Sequence, residues 1–412
     1  MNYENGRSSG IKASPSMAIA MAAKKLRAEG RDIIDLSLGE PDFEPPAHVA
    51  EAAHEAIRAG GIRYGPAAGS EALRRAISDK FRKENRLDFA LDEITIANGA
   101  KQIIFDAFLA TLEPGDEVVI PAPCWVSYGD IVALHGGTPI YVECGPEAGF
   151  KLSGARLEAA ITPRTKWLML NSPSNPTGAI YTAGDYAALE AILSRHPRIL
   201  VLSDEIYEHI LLRDVPFVSF GEVCPSLRDR TLLVNGVSKT YAMTGWRVGY
   251  AAGPKALVAA INKMQSQSVT SVCNVAQAAA AAALAGDQAF VAEAARTFAR
   301  RADLVATALE KIEEIEFIRP DGAFYAFIGV RRLIGKSNLA HDTAVAAHLL
   351  NDYGLSSVPG SAFAMPGFIR LSIAASDQEL QGACERLARM VTSLRSGPRD
   401  ALRIGVRSDQ EN

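Results

Sequence analysis

Three side chains of this chain, two of them where apolar runs end, are of types that suggest one chemistry. Lys239 closes residues 231–239, a buried-strand run that ends in a small polar turn. Arg247 follows in the phrase MTGWRVG at 243–249, and upstream the apolar run at 199–204 ends on Asp204. An amine can form a Schiff base, a carboxylate can keep a pyridine nitrogen protonated, and a guanidinium can hold a phosphate. Together these groups suit pyridoxal phosphate.

Four further features bear on the same chemistry. The string NGAKQ at 98–102 lies between an expected strand and an expected helix, where small residues let backbone N–H groups approach a phosphate. It lacks the spacing of a Walker loop or a dinucleotide fingerprint. In NSPSNPTG at 171–178, Asn175 offers an amide donor to a phenolate or carboxylate oxygen; Asn-Pro and Thr-Gly are also common turn pairs. Trp125 follows a strand end and is placed to stack on a ring or to pack in a core. Arg370 sits in the apolar run FIRLSI at 368–373, where a buried guanidinium needs an anion from protein or ligand.

The elements that must position these residues follow from the pattern. Apolar runs at 93–97, 116–120, 166–170, 199–203, 232–234 and 248–251 alternate with helical stretches such as 46–60, 101–108 and one capped by Ser70. Short runs rich in Val, Ile and Leu between helices indicate a mostly parallel sheet covered on both faces. After Pro254 the pattern turns to long helices, reaching about residue 312 with a single break at Gly286-Asp287. Two more strands, 324–330 and 368–373, then suggest a smaller α+β domain joined by the segment before Pro45.

With 412 residues and about 100–200 per domain, two to three domains are expected. A net charge of -4 provides no basic field for nucleic acid or membrane phosphates. Cys124, Cys144, Cys224, Cys273 and Cys384 are scattered and odd in number, which favours reduced thiols and a cytoplasmic address. The first ten residues are polar and carry no signal-peptide apolar stretch.

Taken together, these residues resemble the fold type I pyridoxal-phosphate aminotransferases of class I, in particular the bacterial aspartate aminotransferase branch. The resemblance spans about residues 14–391 and rests on LGEPDF at 38–43, YGPAAG at 64–69, NGAKQ at 98–102, residues 171–178, SDEIY at 203–207, SKTYAMTGWR at 238–247 and RLS at 370–372. It implies an α/β fold, with a large domain built on a mostly parallel seven-stranded sheet between helices and a smaller α+β domain. The expected layout is an arm over 1–45, a cofactor domain over 46–286, a small domain over 287–395 and a frayed tail over 396–412.

By the same resemblance, Lys239 would carry pyridoxal 5'-phosphate as a Schiff base and then move the proton. Asp204 would pair with the pyridine nitrogen, Tyr207 and Asn175 would hold the phenolate oxygen, and Trp125 would stack on the ring. Ser238, Arg247 and the backbone of Gly99, Ala100 and Lys101 would bind the phosphate, joined by Tyr64 from a second subunit. Arg370 would clamp the substrate α-carboxylate, with Gly39 contributing backbone. Some relatives carry serine three residues before the lysine; Gly236 stands there, so one phosphate contact is expected to be missing or replaced. No metal is implied. The implied reaction is ping-pong transamination through aldimine, quinonoid and ketimine states in a homodimer with shared active sites.

A lysine at the place of Lys101 is associated in this branch with dicarboxylic substrates, and residues 14–16 would fold over the site. These features favour aspartate and glutamate with oxaloacetate and 2-oxoglutarate. Similar enzymes accept prephenate, which carries two carboxylates; Ser16 stands where relatives often show threonine. The competing readings are an aromatic aminotransferase, a lyase on the same fold (carbon–sulfur or aminocyclopropane-carboxylate-synthase-like), and an aminotransferase-like sensor domain. The intact Lys239 and the absence of a DNA-binding module in residues 1–13 speak against the last.

Overall fold

The computed structural model of the chain describes residue 6 and residues 8–11, 15–337 and 339–396. Ser14 and the tail beyond residue 396 lie outside them. After the short strand β1 (Ile34–Asp35) come seven strands of one sheet: β2 (Ile94–Ala97), β3 (Glu117–Ala122), β4 (Thr138–Glu143), β5 (Thr165–Asn171), β6 (Leu200–Asp204), β7 (Thr231–Gly236) and β8 (Gly249–Ala252). Their order is β2-β8-β7-β6-β5-β3-β4. The neighbours from β7 to β4 are parallel, and β8 is antiparallel to both β2 and β7.

Successive side chains of a strand point to opposite faces, and here both faces are covered. Leu168 and Leu170 of β5 join one core with Val119, Val201 and Leu233, while Trp167 and Met169 join another with Val118, Leu202 and Val234. That double burial is why these strands read as continuous apolar runs.

Two expectations need correction, and one strand of this large sheet has no counterpart among the apolar runs. The pattern shows six runs, and the seventh strand, β4, lies at the sheet edge with a mixed exposure and Pro139 in it, so it lacks an apolar run. The helical stretch after Pro254 has a second break: helix Lys255–Ser268 stops, and Asn274–Ala285 starts afresh. Ser, Thr and Val dominate 268–272, and Thr270 takes φ 67°, which no helix continues through. The polar turn expected at Lys239 is instead a single helical turn, Val237–Thr240.

A second sheet runs β12-β13-β10-β9, antiparallel throughout, from β9 (Glu316–Phe317), β10 (Tyr325–Gly329), β12 (Val358–Pro359) and β13 (Phe368–Ser372); β11 (Leu355–Ser356) pairs instead with β1. Ile34 and Leu36 of the N-terminal segment share a core with this sheet and with helices Ala289–Leu309 and Asp342–Tyr353. Arg301 ties the helix Ala289–Leu309 back to the segment after Gly39 by a two-pronged pair with Asp42, at 2.7 and 2.8 Å. Among the described residues no single helix is long and apolar enough to cross a membrane.

Candidate active site

In a parallel sheet the strands' carboxyl ends open into a crevice, and the chemistry-bearing residues of this chain gather there. Asn171 ends β5, Asp204 ends β6 beside it in register, and Lys239 follows β7. The crevice is a cavity of about 280 Å³ walled also by Arg370 and Tyr325 from the second sheet and by Ser16 from helix Pro15–Ala28. Four cations line it, Lys101, Lys239, Arg247 and Arg370, against two carboxylates, Glu40 and Asp204. The surplus is positive, which suits an anionic occupant.

Asn171 organises the loop after β5. Its Nδ2 donates to Asp204 O at 2.9 Å, and its Oδ1 accepts from Asn175 N at 2.8 Å. Asn175 is thereby turned to Arg370, whose Nη1 donates to Asn175 Oδ1 at 3.0 Å. The Nδ2 of Asn175 is left to donate into the cavity.

Arg370 is buried, and no carboxylate pairs with it among the described residues. Nη2 donates to Ser37 O at 2.6 Å, Nε is buried without a partner, and the guanidinium lies over Tyr325 and Phe363 at 4.4 and 5.0 Å. The protein supplies aromatic faces and carbonyl acceptors but no counter-charge. Burial accordingly lowers its pKa.

Asp204 is the opposite case, a buried carboxylate. Tyr128 Oη donates to Oδ2 at 2.7 Å and Ile206 N to Oδ1 at 3.3 Å, yet burial outweighs both and raises its pKa to about 6. Lys239 Nζ donates to Gly39 O at 2.6 Å; burial lowers its pKa to about 8, with Glu40 acting in the other direction. Tyr207 Oη shares a 2.7 Å hydrogen bond with Tyr325 Oη, and burial followed by Tyr325 raises its pKa well above the usual phenol value. Gly39 is required by close approach, since a Cβ there would overlap the Tyr325 hydroxyl.

The segment carrying Tyr207 is anchored from below. Glu208 accepts from Asn85 at 2.9 Å and Asn235 at 2.6 Å and pairs with the buried Lys80. Burial alone would raise the Glu208 pKa; Lys80 foremost, with His209 and Asn85, reverses this and brings it to about 2. Removing one partner of such a buried pair costs about 3–5 kcal/mol.

At the other end of the cavity, Gly99 caps helix Ala100–Thr111 with φ 86°, and a Cβ there would overlap the Arg247 guanidinium. Arg247, itself at φ 56°, donates to Thr244 O at 2.8 Å and Asn98 O at 3.2 Å. Ser238 and Ala100 line the same wall, where the amino end of the helix favours an anion. Lys101 Nζ lies 4.7 Å over the Trp125 ring, and burial, then Arg247, lowers its pKa. Gly236 leaves little space for a hydroxyl: a Cβ would come within 3.1 Å of Gly249 Cα and Val248 O.

Of the residues singled out in the sequence, Lys239, Asp204, Tyr207, Asn175, Trp125, Ala100, Lys101, Ser238, Arg247, Arg370, Gly39 and Ser16 line this cavity, and Gly99 packs under Arg247. Tyr64 does not; it is 90% exposed and outside the cavity of the single chain. Tyr128 and Tyr325 were not anticipated. Tyr128 follows Trp125 by one helical turn, a spacing that could have revealed it, whereas Tyr325 in the run FYAF reads as core.

Comparison with known proteins places this arrangement in context. The model of the aminotransferase class I and II family matches residues 31–387. An aspartate aminotransferase of Rhizobium meliloti is 47% identical over 93% of this chain and 94% of its own length. The aspartate/prephenate aminotransferase of Cereibacter sphaeroides is 47% identical over 92% of this chain and 96% of its own. Among solved structures, a Rhizobium meliloti aspartate aminotransferase superposes with a TM-score of 0.92 at 46% identity, covering 95% of this chain and 99% of that one. The Thermus thermophilus aspartate aminotransferase with maleate gives 0.89 at 41%, covering 94% and 100%.

Proposed function

This chain belongs to the class I and II aminotransferases, and we propose that it moves an amino group between aspartate or glutamate and the matching 2-oxo acids, with pyridoxal phosphate in the cavity beside Lys239. The residues fit that cofactor. Asp204 is a buried carboxylate with no cation hydrogen-bonded to it, suited to a protonated pyridine nitrogen. Arg247, Ser238 and the amino end of helix Ala100–Thr111, to which its cap residue Gly99 brings no side chain, suit a phosphate, and Trp125 offers a ring face. Tyr207 and the Nδ2 of Asn175 supply donors for a phenolate oxygen.

When bound, the cofactor supplies an aldehyde carbon that captures amines and a cationic ring that accepts the electron pair released at the substrate Cα. The protein's own groups do the rest. Arg370 holds the α-carboxylate by its planar fork, with Asn175 beside it. That clamp turns the Cα–H bond toward Lys239, so the proton is lost in preference to carbon dioxide. Lys239 Nζ, brought to about 8 by burial, is a base close to neutral strength and can take that proton and return it. The amino group leaves with one acid and arrives with another, so two substrates use the cavity in turn.

The observation that carries this reading is a buried cation that no carboxylate pairs with, Arg370, in one cavity with a buried carboxylate that no cation hydrogen-bonds, Asp204, both among the described residues, and Lys239 as their neighbour. Lys101 at the cavity wall supports a dicarboxylic substrate, in keeping with the maleate held by the Thermus relative. The name of the Cereibacter relative makes prephenate, also a dicarboxylate, a second acceptor worth testing. A homodimer is proposed from the surface: Ile62, Tyr64 and Val269 are large apolar residues at 50%, 90% and 39% exposure, and Asn274 Nδ2 binds Arg63 O beside them. A reducing, cytoplasmic setting is in keeping with five unpaired cysteines.

The deciding experiment is a single-turnover absorbance titration of the cofactor-loaded protein with aspartate, glutamate, phenylalanine and alanine in turn. Aspartate and glutamate should convert the aldehyde form to the pyridoxamine form at the lowest concentrations. Conversion only by phenylalanine or alanine would refute the dicarboxylate preference. Release of a 2-oxo acid with no pyridoxamine form would point to a lyase.

A further inference from the structure

Tyr128 is a buried phenol that the reaction proposed above does not use, yet it lines the cavity. Its hydroxyl donates to Asp204 Oδ2 at 2.7 Å, the one side-chain hydrogen bond to that carboxylate among the described residues. The helix Tyr128–Leu134 starts from a turn in which Tyr128 N donates to Trp125 O at 3.1 Å. The two rings meet edge to face at 5.3 Å. One turn of chain therefore presents an indole and a phenol hydroxyl on the same wall.

We propose that Tyr128 is a positioning residue that keeps the Asp204 carboxylate ionised and aimed into the cavity, and so sets how tightly the cofactor's pyridine ring is held; this rests on the cofactor reading given above. The physical reason lies in two opposed effects. Burial favours the neutral acid, and a donor to the charged form favours the anion. The groups facing Asp204 are Tyr128 from its helix, Ile206 N and Tyr207 from its own segment, Lys239 from the turn after β7, and Cys124 behind Tyr128. Lys239 is the one cation in that set, and its Nζ is committed to Gly39 O. The phenol is what offsets burial from the side-chain direction. Were Tyr128 only a packing residue, its ring would suffice and phenylalanine would serve as well.

The test compares wild type with Tyr128→Phe, each stripped of cofactor and titrated with pyridoxal phosphate from about pH 5.5 to 8.5 across the Asp204 titration. Ring absorbance and tryptophan fluorescence report binding, and thermal melting reports the fold. The variant should bind about tenfold more weakly near neutral pH, the size of one hydrogen bond to a charged group. The pH below which binding weakens, near about 6 in wild type, should move up by about one unit. In an Asp204→Asn background, adding Tyr128→Phe should change the Kd no further.

A variant that melts lower but keeps both Kd and midpoint overturns the inference, as does an equal effect in both backgrounds. If wild type takes up no pyridoxal phosphate at all, the cofactor reading falls, and this inference with it. Should the phenylalanine variant not fold, 3-fluorotyrosine at position 128, a stronger donor of the same shape, must move the midpoint down. An unchanged midpoint there overturns the inference too.

Discussion

Arg370→Lys keeps a positive charge in the cavity but removes the planar fork that can hold a carboxylate by two parallel hydrogen bonds. In the wild-type site Nη1 is engaged by Asn175 Oδ1 at 3.0 Å and Nη2 by Ser37 O at 2.6 Å, while Nε is buried without a partner. A lysine ammonium has three donors on one nitrogen and a shorter reach, so it cannot keep both internal acceptors and both substrate oxygens. One charge-assisted contact to the substrate is lost, about 1.5–3 kcal/mol. One internal acceptor also loses its donor, at about 1–3 kcal/mol, felt mainly as lower stability of the folded site. The transition-state share, about 1.5–3 kcal/mol, corresponds to a fall in kcat/KM of about 10- to 200-fold. The assay is a coupled measurement of oxaloacetate formed from aspartate and 2-oxoglutarate, paired with one of phenylpyruvate formed when phenylalanine is the donor. Because the α-carboxylate is common to both donors, both should fall by the same factor while cofactor content stays as in wild type. A kcat/KM within about threefold of wild type, or a loss confined to one donor, would refute the clamp.

Four further outcomes are expected. Lys101→Ala should lower kcat/KM for aspartate and glutamate by about tenfold or more while sparing phenylalanine, since only dicarboxylates have a second charge to hold; equal losses on both would remove Lys101 as a selector. Lys239 is depressed to about 8, so its neutral amine, the form that attacks an aldehyde, becomes scarce as pH falls through that value. Stopped-flow capture of pyridoxal phosphate by cofactor-free protein should therefore slow about tenfold per pH unit below about 8 and level off above it; a rate independent of pH would contradict this assignment. Lys239→Ala should bind the cofactor without a borohydride-reducible bond. Finally, sedimentation should show a dimer, and Ile62→Asp should weaken it together with cofactor affinity; a fully active monomer would rule out the role given to Tyr64.

How legible this protein is in its sequence depends on what each residue needs from its neighbours. Strands buried on both faces, such as β5 and β6, announce themselves as apolar runs because either face of the pleat must be apolar. Edge strand β4 does not, because one side of it meets solvent. Ser70 was readable as a cap, and its Oγ does accept from Leu73 N at 3.3 Å, since capping is decided within four residues. The break after Ser268 has no clear sequence signal, because the alanine-rich helix Asn274–Ala285 follows the short stretch 269–273.

For the site, residue types and motif strings were enough to nominate Lys239, Asp204, Asn175 and Arg370, because an amine, a buried acid, a turn amide and a guanidinium in an apolar strand are unusual locally. What they touch was decided only by the fold. The 2.7 Å bond from Tyr128 to Asp204 spans 76 positions, and the bond from Tyr207 to Tyr325 spans 118. Arg370 reaches Ser37 across 333. A phenol in an apolar stretch looks like core until a sheet from another part of the chain brings an acid or a second hydroxyl against it. Proton affinities follow the same rule. The identity of Asp204 and Lys239 is local, but their shifts to about 6 and about 8 come from burial, which exists only once the strands have closed around them.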